Sequence, residues 1–105
     1  LLDTPNSSLP GLLSQLGCVV CLRLGYGETP AEIHHLRSGA GIAQRSDNSR
    51  AIPLCHLHHR NGGYGVAFHA GPREFERLFG TEEELLEYTH NLLETKIKRG
   101  EICTK

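Results

Sequence analysis

The sequence predicts a small α+β domain, a ββα core with a cysteine knuckle ahead of it and a helix behind it. Three observations carry this expectation. Cys18-Val19-Val20-Cys21 sets two cysteines at knuckle spacing. Two short apolar runs, 31–36 and 51–54, have strand character and are followed at once by Cys55-His56-Leu57-His58-His59. The stretch after Thr81 carries helix start and stop signals at both ends.

Taken in order, residues 3–10 (Asp-Thr-Pro-Asn-Ser-Ser-Leu-Pro) read as linker, and Leu12 to Leu16 as a helical turn, so residues 1–16 stand apart from a compact unit over 17–100 and a tail over 101–105. Gly17 opens the Cys18/Cys21 knuckle. Gly25, Gly27 and Pro30 supply turn chemistry. Ala31 to Leu36 is a candidate strand, 38–50 a polar, glycine-containing loop, and Ala51-Ile52-Pro53-Leu54 a second strand that Pro53 confines to an edge. Cys55 to Arg60 should form a short helix ended by Asn61-Gly62-Gly63. Pro72 to Phe79 is expected to be helical, with Phe75 and Phe79 on one face. Thr81-Glu82-Glu83-Glu84 is a capping box for the last helix. Leu85, Tyr88, Leu92 and Thr95 form its expected buried stripe, Lys96, Lys98 and Arg99 suit its C-terminal end, and Gly100 stops it.

A chain of 105 residues with 38% hydrophobic residues and neither Trp nor Met builds one modest core, and such a core profits from a metal staple. No window is apolar enough to span a membrane. The net charge of −1 argues against nucleic-acid binding driven by bulk charge. Its distribution is uneven: Arg23, Arg37, Arg45, Arg50 and Arg60 lie among the cysteines and histidines, while acidic residues crowd into 74–101. The four cysteines, Cys18, Cys21, Cys55 and Cys103, admit two disulfides in a secreted protein. A Cys-x2-Cys beside a Cys-x2-His fits zinc better, which places the chain in a reducing, cytoplasmic setting.

Cys55 and His58 are three residues apart and share a helix face, so Cys18, Cys21, Cys55 and His58 are expected to hold one structural zinc. The 33 residues between Cys21 and Cys55 are too many for a DNA-reading finger, so the zinc would clamp the ends of a larger insert. His34 and His35 fall on one strand and point to opposite faces, which suggests that one ligates a metal and the other acts as a base. His59 is turned by about 100° from His58 on a helix and can reach the His34/His35 strand. His69, returned by the glycine-rich loop 62–65, is the further candidate ligand. His56 is expected at the surface or against phosphate.

The segments that carry a family resemblance are Cys-x2-Cys, Pro30-Ala31-Glu32-Ile33-His34-His35, Gln44-Arg45, Ile52-Pro53-Leu54-Cys55-x2-His58-His59, Gly62-Gly63-Tyr64-Gly65 and His69-Ala70-Gly71. They resemble the HNH (His-Me finger) endonucleases and, over about two-thirds of the chain, the phage and prophage recombination-enhancement nucleases, the RecA-dependent Ref family. The resemblance implies a ββα-metal core, with His34 as first metal ligand, His35 as general base and His59 as the closing ligand. The second helical ligand of many HNH enzymes falls here on Gly63, so His69 takes that role. Asn48 is the nearest candidate for the middle asparagine, with Arg50 close to the same slot.

These expectations amount to a metal-dependent DNA endonuclease of recombination, hydrolysing phosphodiester bonds at Mg²⁺ or Mn²⁺, with Zn²⁺ also acceptable to imidazole ligands. Arg37, Arg45, Arg50 and Arg60 are candidate phosphate contacts. DNA, and through the family resemblance a RecA filament, are the expected partners in a bacterial or phage-infected cell. Absence of a long recognition helix points to cutting largely independent of sequence. A non-catalytic zinc module that binds DNA or protein needs only Cys18, Cys21, Cys55 and His58, and gives no reason for the other histidines to converge. A disulfide-stapled secreted domain is the third reading.

Overall fold

The computed structural model describes residues 9–36 and 50–102. Among these residues, four α-helices, α1 (Leu9–Leu16), α2 (Val19–Leu24), α3 (Pro72–Phe79) and α4 (Glu82–Lys98), surround two strands, β1 (Glu32–His35) and β2 (Ala51–Leu54). The result is a small α+β fold with a short two-stranded sheet.

The strands pair antiparallel in the register Glu32↔Leu54, Ile33↔Pro53, His34↔Ile52 and His35↔Ala51. Among the described residues both are edge strands, a position in which Pro53 is tolerated without its amide. All four residues of β2 are buried, because the sheet is covered on both faces. Ile52 and Leu54 enter a cluster with Cys18, Val20, Phe68, Phe75 and Leu85. Ala51 enters a second with Leu9, Leu12, Leu13, Leu16, Leu93 and Ile102. The strand's two-residue period thus sends one strand into two cores. Glu32 and His34 share the face of Ile52 and Leu54, while Ile33 and His35 share the other.

The strand over 51–54 and the helix over Pro72–Phe79 appear as the sequence predicts. The N-terminal helix starts earlier than the expected turn over Leu12–Leu16, at Leu9, since Leu9, Leu12, Leu13 and Leu16 are spaced to bury one stripe. The Cys18/Cys21 knuckle is itself the first turn of α2, which Gly25 closes at φ 85°. The expected short helix after Cys55 is present as a wide helical turn of π type, Leu57–Asn61, with the Gly62 amide donating five residues back to the Leu57 carbonyl at 2.9 Å.

The capping box of α4 is complete, Thr81 Oγ1 accepting from the Glu84 amide at 3.1 Å and Glu84 Oε1 from the Thr81 amide at 2.8 Å. The buried stripe differs from expectation. Glu82, Leu85, Leu86, Thr89 and Leu93 are buried, Tyr88 and Leu92 are half-buried, and Thr95 is exposed. The helix contributes to both cores, Leu85 and Leu86 to one and Leu93 to the other, so its inward face is set by two packing partners. Thr89 can be buried because its hydroxyl donates to the Leu85 carbonyl at 2.7 Å. No described helix is long and apolar enough to cross a membrane.

Candidate metal centre

Gly17 brings the first two cysteines into place. At φ 87° its α-hydrogens face the backbone of Thr29, where a Cβ would sit 3.2 Å from both N and O. The Cys18 amide donates to the Thr29 carbonyl at 3.0 Å, and Cys18 Sγ caps α2 by accepting from the Cys21 amide at 3.5 Å. Cys55 follows β2 directly, and the His59 amide bonds back to its carbonyl at 2.8 Å, which turns His58 towards the cysteines.

Four donors converge there, all buried: Cys18, Cys21, Cys55 and His58. His58 Nδ1 lies 3.2 Å from Cys55 Sγ, 3.5 Å from Cys18 Sγ and 3.6 Å from Cys21 Sγ, and the sulfurs of Cys21 and Cys55 are 3.8 Å apart. A zinc tetrahedron with ordinary Zn–S and Zn–N bonds has edges of roughly 3.6–3.8 Å, so the donor set fits that ion. The sulfur separation is far beyond a disulfide bond, and Cys18, Cys21 and Cys55 are free thiols. Burial pushes the Cys18 thiol up to about 12, against the backbone hydrogen bonds from Cys21 and Cys55, which favour the thiolate. Burial moves His58 the other way, below its ordinary value, which keeps the imidazole neutral. The Phe79 ring closes the site edge-on, 5.3 Å from the His58 ring.

The second cluster comprises His34, His59 and His69, whose donor atoms lie within 4.8 Å of one another. The chain reverses after the wide turn and runs back alongside it. The Phe68 amide donates to the His58 carbonyl at 2.8 Å and the His69 amide to the His59 carbonyl at 3.1 Å. That pairing delivers His69 to His59, with Nε2 to Nε2 at 3.0 Å. Gly62 makes the reversal possible, since a Cβ there would meet the Leu57 carbonyl oxygen at 2.4 Å. His34 completes the group from β1, its ring 5.1 Å from that of His59 and 5.4 Å from that of His69, with Phe68 packed at 4.7 Å. Three imidazoles in this arrangement suit a divalent transition-metal cation.

Two carboxylates back this cluster, neither of them among the site residues the sequence predicts. Glu82 Oε2 accepts from His34 Nε2 at 2.7 Å. Glu32 Oε1 pairs with His59 Nδ1 at 2.8 Å, and Arg60 grips the same carboxylate through Nε at 3.0 Å and Nη2 at 2.6 Å. Arg60 and then His59 hold the Glu32 carboxyl down to about 2. Signals for both were present. Glu32 is two residues from His34 and shares its strand face, and Glu82 is in phase with the buried Leu85, Leu86 and Thr89.

The other predicted residues are placed as follows. His35 is exposed, on the strand face opposite His34, and is not part of the three-histidine group. His56 is exposed. Arg50 forms an ion pair with Glu83 at the first turn of α4. Arg37, Arg45, Asn48 and Cys103 lie outside the described residues.

A family model described as recombination enhancement, RecA-dependent nuclease matches residues 7–94, a span that contains every residue of both clusters. No curated protein matches the chain.

Proposed function

The chain belongs to the recombination-enhancement, RecA-dependent nuclease family, and from that premise we propose that it is an HNH-type DNA endonuclease whose chemistry resides in residues 17–100. The observation that supports this reading is the convergence of His34, His59 and His69, with His59 adjacent in the chain to His58 of the buried Cys₃His cluster.

In this reading Cys18, Cys21, Cys55 and His58 hold a structural zinc that ties α2 to the end of β2. His34, His59 and His69 hold Mg²⁺ or Mn²⁺, replaceable by Zn²⁺. A cation bound there supplies Lewis-acid stabilisation of the charge that builds on the phosphate and the leaving oxygen. His35 is the general base: its imidazole takes a proton from the water that attacks phosphorus, a role that exposure favours because the substrate backbone must reach it. Asn48 is assigned to orient that base. Arg37 and Arg45 are assigned to backbone phosphates, which positions the duplex without reading its sequence; Arg50 and Arg60 are already paired with Glu83 and Glu32. The family's RecA dependence makes DNA within a RecA filament the substrate.

The test is nicking of DNA in the presence of RecA filaments and Mg²⁺ or Mn²⁺. Wild type should cut, His35→Ala should cut about 10²–10⁴-fold more slowly, and both should carry the same metal content. Equal cutting by His35→Ala removes that residue as base. A wild-type protein that binds one zinc, takes up no second ion and never cuts is instead a zinc-binding interaction module.

A further inference from the structure

His34 on β1 and His59 on the wide turn each have one ring nitrogen already taken by a carboxylate, and the two use opposite nitrogens. His34 engages Glu82 through Nε2, at 2.7 Å. His59 engages Glu32 through Nδ1, at 2.8 Å. A carboxylate oxygen accepts, so the engaged nitrogen carries the proton and the other nitrogen of the neutral ring carries the lone pair. We propose that Glu82 and Glu32 are positioning residues that fix opposite tautomers of His34 and His59, so that Nδ1 of the first and Nε2 of the second are the metal-binding atoms.

Four features argue for this. Glu82 is only 3% exposed, a burial that a carboxylate tolerates only with a fixed partner, and the His34 ring beside it is equally buried. Its place at the first turn of α4, behind the Thr81–Glu84 capping box, anchors it to a rigid element. On the other side, His59 Nε2 points to His69 Nε2 at 3.0 Å, as expected when Glu32 claims Nδ1. Glu32 is fixed in turn by the two-nitrogen grip of Arg60, so the order Arg60–Glu32–His59 runs from the surface to the cluster. A neutral imidazole otherwise interchanges its two tautomers, and a ligand with the wrong one presents an N–H where a lone pair is required.

This inference rests on the reading of the three histidines as a metal site, and the experiment separates the two. Long-range ¹H–¹⁵N spectra of the zinc-loaded protein, with no second metal added, report the tautomer of each ring directly. His34 should be protonated at Nε2 and His59 at Nδ1. In Glu82→Gln and Glu32→Gln, which preserve side-chain size, the tautomer of the partnered ring should become mixed, while the other ring and the zinc content stay unchanged. Affinity for Mn²⁺ as the second equivalent should fall about 10–100-fold in each variant. Unchanged tautomers in both variants, or the reverse assignment in wild type, overturns the proposal. So does wild-type Mn²⁺ affinity in both. Absence of any Mn²⁺ binding by wild type, with the tautomers as expected, refutes the metal reading and leaves the tautomer assignment standing.

Discussion

The His69 amide donates to the His59 carbonyl at 3.1 Å, and the two rings meet Nε2 to Nε2 at 3.0 Å. One backbone hydrogen bond thus fixes the register that brings a loop histidine to a turn histidine ten residues earlier. In the proposed reading the loop supplies the ligand that a histidine at Gly63 would otherwise supply from the turn.

That register depends on Gly62. Its φ of −78° is ordinary, so the requirement is space and not backbone conformation. A Cβ would lie 2.4 Å from the Leu57 carbonyl oxygen and 2.5 Å from Val66 Cγ1. The side chain of Val66 can rotate, but the carbonyl belongs to the hydrogen bond that closes the wide turn. Gly62→Ala should therefore displace His69 from His59 while leaving Cys55 and His58 in place. Retention of one zinc, with loss of the second equivalent and a fall in cutting of about 100-fold, is the expected outcome. Metal analysis together with nicking rates checks it, and undiminished uptake of both ions would show that the loop accommodates the methyl group.

The two clusters should come apart under mutation. Cys55→Ser weakens a site whose ligands are also core residues, packed with Val20, Ile52 and Phe75. Zinc bound by such sites contributes directly to folding, so Cys55→Ser should lose both ions and melt early. His59→Ala removes a half-buried ring from the second cluster alone, and should keep one zinc and a near wild-type melting temperature. Metal counting beside thermal melts distinguishes these outcomes. A cooperative, unshifted melt for Cys55→Ser would mean that packing alone supports the fold.

The sequence carried the local parts of this structure. Ala51–Leu54, Pro72–Phe79 and the Thr81–Glu84 cap follow from strand composition, proline at a helix start and a four-residue hydrogen-bonding motif, all chemistry of near neighbours. The Cys₃His grouping was legible too, because ligand identity and spacing restrict what one ion can gather. Glu32 and Glu82 were harder to read because their partners lie 27 and 48 residues away. Three consecutive glutamates look alike until packing buries the first of them. The wide turn over Leu57–Asn61 was hidden for a related reason, since the choice between four- and five-residue hydrogen bonds is made by the returning strand of loop that pairs with His58 and His59.

Zinc uptake should be coupled to proton release, with a definite sign. The Cys18 thiol, raised to about 12 by burial, is protonated throughout the working range, whereas zinc binds the thiolate. Each ion bound must expel at least that proton, so apparent affinity rises with pH. His58, held below its ordinary value by burial, is already neutral and adds no competing proton near neutrality. Chelator competition between pH 6.5 and 8.5 should show log affinity increasing by at least about one unit per pH unit. A flat profile would show that the Cys18 sulfur does not enter the coordination sphere.

The cap of α4 should matter to the metal centre as well as to the helix. Thr81 and Glu84 satisfy one another's backbone amides, and Glu82, between them, carries the carboxylate that meets His34. Thr81→Ala removes the acceptor for the Glu84 amide and should cost about 1 kcal/mol. Glu84→Ala frees the other half of the same motif, so the double variant should lose less than the sum of the single losses. Fraying of this turn would also loosen Glu82 and, through it, His34. Urea titrations of the zinc-loaded single and double variants measure the first effect, and Mn²⁺ affinity measures the second. The expected pattern is a modest loss of stability with a parallel loss of Mn²⁺ affinity at unchanged zinc content. Stability lost with Mn²⁺ affinity intact would show that Glu82 is held by its own burial and its bond to His34 and not by the cap.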